Sequence, residues 1–240
     1  MIPAKDLLNA SLGAGSFLKA PGADAHPHGS ASPVLIPIRS VGEGERPRIA
    51  CHLLALDEHD RYLRFGYAAS DEQVQRYVDQ LDFERDEVFG IYNRRLELIA
   101  MAHLAFAPSD DYSGCAEFGV SVGQHARGRG YGARLFERAT VTARNEGVNM
   151  LFIHVLSENA AMLKIARNAG ATVARGGSES EAHLELPSAT LDSRITEMAL
   201  EGFAEIDFEL KTRAKQFWAF LASVQEIRRG VRAAQDESAS

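Results

Sequence analysis

Between residues 123 and 135 the chain reads GQHARGRGYGARL. Gly128, Gly130 and Gly132 alternate with larger residues, Arg127 and Arg129 flank them, and a helical pattern follows at once. A bare backbone at a helix start leaves unpaired N–H groups and the positive end of the helix dipole facing outward, which suits a phosphate. Three readings of the loop compete on its residues. A GxxxxGK[ST] phosphate loop needs a Lys-Ser or Lys-Thr, and neither follows. Gly128, Gly130 and Ala133 satisfy the G-x-G-x-x-A dinucleotide pattern. However, the loop opens several residues after the preceding strand should end, and the next strand, MLFIHVL, carries no acidic residue to hold a ribose. The third reading is a Gly-rich turn without a ligand.

These residues need elements to position them. The stretch RIACHLLAL (48–56) reads as a strand, and DEHDRYLRFG (57–66) as a short helix or turn. Ser70 and Gln73 form a capping box ahead of Val74, Tyr77, Val78 and Leu81 at helical spacing. EVFGIYN (87–93) and LELIAMAHLAFA (96–107) read as a hairpin joined across Arg94 and Arg95. SDDYSG (109–114) is a turn, and its Asp110 and Asp111 are ordinary turn residues. CAEFGVSV (115–122) is a strand, the loop opens a helix running to about Gly147, and MLFIHVL (150–156) is a buried strand in which His154 reads as a core histidine. Ser157 can cap the helix that stops at Gly170, and ATVARGG with EAHLELP makes a last hairpin. VLIPI (34–38) reads as a short edge strand because of Pro37. The order defines a mixed-sheet α/β, or α+β, fold without an internal repeat.

Three segments follow: an N-terminal extension or linker at 1–47, including the Gly- and Pro-rich PGADAHPHGSASP, a domain at 48–187, and a C-terminal amphipathic segment at 188–240. In the last, Ile195, Met198, Phe203, Ile206, Leu210, Phe217, Leu221, Val224, Ile227 and Val231 recur three to seven apart. Such a helix can lie on the main domain, or pair two copies of the chain.

Composition limits the partners. A net charge of -7 argues against nucleic acid, which needs a basic field. No uncharged stretch is long enough to span a membrane, and the N-terminus is a poor signal peptide. Cys51 and Cys115 stand alone, and the eight histidines lack ligand spacing. We therefore expect no disulfide, no metal and a cytoplasmic protein.

A resemblance narrows the loop. Arg127-x-x-Gly130-x-Gly132, between a strand ending Val120-Ser121-Val122 and an amphipathic helix, resembles the acetyl-CoA motif Q/R-x-x-G-x-G/A of the GNAT family of N-acetyltransferases. VLSENAAMLKIARNAGA (155–171) is similar to that family's strand, Asn, and helix ending in Gly, with Asn159 and Gly170 eleven residues apart. The resemblance runs over roughly 48–187, and EHDRYLRF and AEFGVSV resemble the branch that holds the protein-lysine acetyltransferases.

The resemblance implies the GNAT fold with a C-terminal helical appendage, and acetyl transfer from acetyl-CoA to a primary amine in a ternary complex. The amine can belong to a protein lysine or a small molecule. The donor's pyrophosphate is expected on the backbone of Arg127, Gly128, Arg129, Gly130, Tyr131 and Gly132, its pantetheine arm along Val120 and Val122, and Asn159 bridging the splayed strands or touching that arm. An ammonium of pKa about 10.4 must lose a proton before it attacks. Glu117 is the expected base: along an extended strand it shares a face with Cys115, Gly119 and Ser121, opposite the apolar Ala116, Phe118, Val120 and Val122. Many relatives carry a Tyr acid seven residues after the Asn, where this chain has Ala166. Tyr131, Ser157 and His154 are near in sequence, and nothing selects among them. The alternative to an enzyme is a non-catalytic acyl-CoA sensor whose C-terminal helix carries the signal.

Overall fold

The computed structural model describes residues 36–107, 114–176 and 179–238, with side chains in all of these except 175, 176, 179 and 217–238. The 21–33 linker, the Asp110–Asp111 turn, and the helix-face positions from Phe217 onward lie outside these described residues. Residues from Ile36 onward form one compact unit, the long C-terminal helix included.

A seven-stranded sheet runs through it. The strands are β1 (Arg39–Ser40), β2 (Glu87–Tyr92), β3 (Leu98–Phe106), β4 (Cys115–Val122), β5 (Met150–Leu156), β6 (Thr172–Gly176) and β7 (Glu179–Glu185), in the order β1-β2-β3-β4-β5-β7-β6. Every pairing is antiparallel except β4 with β5, which is parallel. The α-helices among the described residues are α1 (Arg46–Leu54), α2 (Glu58–Phe65), α3 (Asp71–Asp79), α4 (Tyr131–Asn145), α5 (Ala160–Asn168) and α6 (Leu191–Ser238).

Each sheet face buries its own cluster. On one, Phe118 and Leu151 meet Phe136 of α4 and Met162 of α5. On the other, Met101 and Val88 meet Ile49 and Leu53 of α1 and Val74 and Val78 of α3. The strict alternation of β4 is what serves both: Ala116 and Phe118 are buried on the first face, and Ser121 on the second.

Two expectations are corrected. Residues 46–54 form a helix, not a strand: Pro47 lies in the first turn and Ile49, Leu53 and Leu56 are buried at helical spacing. A short apolar run fits either period, so tertiary burial decides. The edge strand is Arg39–Ser40, just beyond VLIPI, paired to Gly90 and Phe89. The capping box stands as read: Gln73 N–H meets Ser70 Oγ and Ser70 N–H meets Gln73 Oε1.

Helix α6 docks through charge. Arg138 of α4, 5 % exposed, donates to Glu201 at 2.6 Å and to the carbonyl of Glu197 at 3.2 Å, while Arg39 bonds Glu205 at 2.6 Å. Phe208 adds an edge-on contact with Tyr92 under the Arg39 guanidinium. Removing one partner of a buried pair costs about 3–5 kcal/mol, because the other charge stays behind. Arg138→Met is therefore expected to release α6 first. Amide exchange in 191–204 should accelerate and the melting temperature fall. Unchanged protection there would refute this account of the docking.

Candidate active site

The site begins where two strands part. β5 pairs with β4 only from Cys115 to Glu117, against Met150 to Phe152. Past Glu117, β4 stays paired with β3, and among the described residues no strand pairs with its other edge. The bonds Ala107 N to Cys115 O and Gly123 N to Ile99 O set the phase of the antiparallel ladder. Cys115, Glu117, Gly119 and Ser121 exchange bonds with β3, so Phe118, Val120 and Val122 direct their N–H and C=O groups into the gap. The gap is a groove of about 280 Å³, lined by Arg64, Glu117, Val120, His154, Asn159 and Met162 among others.

The Gly-rich loop adjoins it. Gly128 and Gly130 have φ of +75° and +76°, a conformation that favours glycine, and a Cβ at either would meet open space. Gly130 is the N-cap of α4. Among the described residues, the amides of 128–133 donate to no backbone carbonyl. Gly132 has a different reason: a Cβ there would lie 3.3 Å from Ile165 of α5 and 3.9 Å from Val122, so its bareness packs α4 against both. Tyr131 is partly buried against the core. Arg127 does not offer a free charge. It is ion-paired to Asp60 of α2 and reaches the Val122 carbonyl at 3.4 Å. Arg129 is exposed and, among the described residues, unpaired.

Glu117 is exposed on the groove wall, on the α1–α3 side of the sheet. Beside it lies a chain of polar groups that sequence reasoning missed. The Arg64 guanidinium lies flat over Gly119, where a Cβ would come within 2.8 Å of three of its atoms. Its Nη2 donates to Tyr77 Oη at 2.7 Å. His103 Nε2 lies 3.1 Å from Asp86, and a carboxylate accepts, so Nε2 carries the proton. Nδ1 then accepts from the Tyr77 hydroxyl at 2.9 Å. Burial, then the nearby Arg64 charge, pushes the His103 imidazole below its ordinary value. Burial raises the Tyr77 hydroxyl.

A second histidine fixes the same strand. His52 Nδ1 donates to Leu98 O at 3.1 Å, and Nε2 accepts from Ser121 Oγ at 2.9 Å. Burial pushes His52 from 6.5 down to about 4. The fold holds the neutral ring, whereas the unfolded chain protonates near pH 6.5. Stability from this group is thus complete above 6.5 and is lost as pH falls towards 4, by roughly 3 kcal/mol. Urea unfolding at pH 7 and pH 4.5 should show this slope in the native chain and a shallower one in His52→Gln. Equal slopes would sink the assignment.

The remaining sequence candidates separate. His154 is exposed and lines the groove, contrary to its reading as a core histidine: it falls on the outward step of β5, between buried Ile153 and Val155. Ser157 does not cap α5; its Oγ meets Ser180 Oγ at 2.9 Å. Asn159 is the cap, accepting from Met162 N at 3.1 Å, so its carbonyl oxygen is engaged while the residue lines the groove. Ala166 is fully buried. No group of three His, Cys, Asp or Glu that could hold a metal exists among the described residues, and no helix there is long and apolar enough to cross a membrane.

A parallel strand pair that opens beside a bare helix mouth defines the GNAT acetyltransferase fold. The Acetyltransferase (GNAT) family model matches residues 54–171, and the chain carries a domain of that family. Solved structures agree in fold. The GNAT domain of S. lividans PAT is 22 % identical, with a TM-score of 0.53 over 64 % of this chain and 95 % of that one. A GNAT-family acetyltransferase from Streptococcus pneumoniae is 11 % identical, with a TM-score of 0.52 over 62 % and 98 %. The yncA structure from Salmonella typhimurium, which contains its cofactor acetyl-CoA, is 15 % identical, with a TM-score of 0.50 over 64 % and 95 %. No curated protein sequence matches the chain. Family and fold support acyl transfer from acetyl-CoA.

Proposed function

We propose that this protein is an N-acetyltransferase that moves acetyl from acetyl-CoA directly to a primary amine held in the groove beside Glu117. The observation that carries the reading is the open backbone of β4: among the described residues, the Val120 N–H and C=O and the Val122 N–H face the gap with no strand paired to them, next to the loop amides of 128–132, while the Val122 carbonyl is reached by Arg127. An amide-bearing pantetheine arm can extend that ladder, while the pyrophosphate rests at the α4 N-terminus. Asn159, whose oxygen caps α5, then contributes through its remaining amide.

In this reading Glu117 takes the proton from the acceptor ammonium, directly or through one water. The freed amine attacks the thioester carbonyl carbon. A β4 amide facing the gap stabilises the negative charge that develops on the carbonyl oxygen. The carbon–sulfur bond then breaks, and the electron pair leaves on sulfur. A thiol of pKa about 8.5 can depart as thiolate, so the Ala at 166 does not bar turnover. The likeness of the AEFGVSV strand to the protein-lysine branch, together with the net charge of -7, supports a cationic acceptor.

Titration calorimetry with acetyl-CoA and with NAD tests the donor. Saturable acetyl-CoA binding without NAD binding is expected, and the reverse would return the loop to the dinucleotide reading. A second reading, a non-catalytic acyl-CoA sensor, rests on Ala166 and the long helix α6. It predicts tight donor binding with no acetylated product for any amine.

A further inference from the structure

Helix α6 is docked with its amphipathic character reversed. The side facing the body carries Ser193, Glu197, Glu201, Ala204 and Phe208, and its bonds are largely ionic. The side facing solvent carries Leu191, Ile195, Met198, Phe203, Ile206 and Leu210, which are 39–75 % exposed. At 100° per residue these six fall in one stripe diametrically opposite the docked face. A contiguous exposed apolar stripe on a soluble domain marks an interface.

The stripe has an internal symmetry that identifies its occupant. Its residues are placed evenly about the midpoint between Leu200 and Glu201, so that Leu191 matches Leu210, Ile195 matches Ile206, and Met198 matches Phe203. Around that midpoint, exposed Ala199 and Gly202 occupy the centre of the stripe, and a small residue there lets two backbones approach. A surface that maps onto itself on reversal is self-complementary about a two-fold axis. We propose that α6 pairs in antiparallel fashion with α6 of a second copy of this chain, with the axis at the Leu200–Glu201 midpoint. In that pairing Leu191 layers on Leu210 of the other copy, Ile195 on Ile206, and the central layer is Ala199 with Gly202. On one rim Arg194 comes within two positions of Glu209 of the other copy, opposite charges that are both exposed. A parallel pairing would instead set Arg194 by Arg194 and Asp192 by Asp192. This proposal is independent of the catalytic reading.

The test is the mass of the full chain in solution, by analytical ultracentrifugation, for four proteins. The native chain should sediment as a dimer of its 26.2 kDa subunit. Ile195→Glu and Ile206→Lys, each placing two charges in the apolar layers, should weaken association by roughly a hundredfold or more. The double variant Ile195→Glu/Ile206→Lys should recover the dimer, because the antiparallel register sets each new Glu against a new Lys. Both changes are on the solvent face, so circular dichroism and acetyl-CoA binding should be unaltered. A monomeric native chain at tens of micromolar would overturn the proposal, as would single variants that remain dimeric. A double variant that stays monomeric would overturn the antiparallel register.

Discussion

Glu117→Gln should lower kcat by roughly 10²–10⁴-fold while leaving acetyl-CoA affinity nearly intact, the range that a positioned general base supplies. The geometry separates the two quantities. The Glu117 side chain stands on the α1–α3 side of the sheet, whereas the backbone edge that opens on the gap belongs to Val120 and Val122. Gln keeps the shape and loses the proton acceptor. The loss should also be pH-dependent in a defined sense. At higher pH a larger share of a lysine-like amine, of pKa about 10.4, is already neutral, so the deficit should shrink as pH rises. Full turnover in the variant at neutral pH would remove Glu117 from the mechanism.

Gly130→Ala should act on the opposite half of the reaction. Gly130 sits at φ +76° as the N-cap of α4, and no atom crowds it, so the penalty is backbone strain alone. Forcing an L-residue into the left-handed region costs roughly 1–2 kcal/mol. The loop can relieve that strain by turning its amides away from the donor. The expected result is a rise of roughly tenfold in the acetyl-CoA dissociation constant, with kcat at saturating donor little changed. Gly128→Ala, at φ +75°, should behave alike, and the pair together should approach a hundredfold. Calorimetry of the folded variants decides this. Native affinity in the double variant would mean that the loop does not hold the donor.

The loop and β4 were legible because their signals are local. Gly128 and Gly130 mark a backbone that only glycine adopts readily, and the alternation in CAEFGVSV assigns each side chain its face. The polar chain beside Glu117 was not legible for the converse reason. Arg64, Tyr77, His103 and Asp86 lie 13 to 26 residues from their partners in this chain of bonds and meet only through packing of α2 and α3 on the sheet. Tyr77 in particular reads as one more apolar position of an amphipathic helix, and nothing local discloses that its hydroxyl joins two groups. His154 misled because an apolar strand implies burial on both faces, whereas the parting of β4 from β5 opens one of them. The stretch at 48–56 failed because nine residues are too few for periodicity to choose between helix and strand. The apolar stripe of α6 was legible as a stripe. That it faces outward depends on the charge pairs of Arg138 and Arg39, whose partners are more than 55 residues away.

In the proposed function the groove transfers acetyl and does not merely hold the donor. Release of coenzyme A thiol from acetyl-CoA, followed for the native chain across polyamines, amino acids and lysine peptides, tests it most directly. Amine-dependent release is expected with at least one acceptor class, with an acetylated product in equal amount and loss of both in Glu117→Gln. Saturable acetyl-CoA binding with no release above the background rate for any acceptor would contradict it and leave the sensor reading in its place.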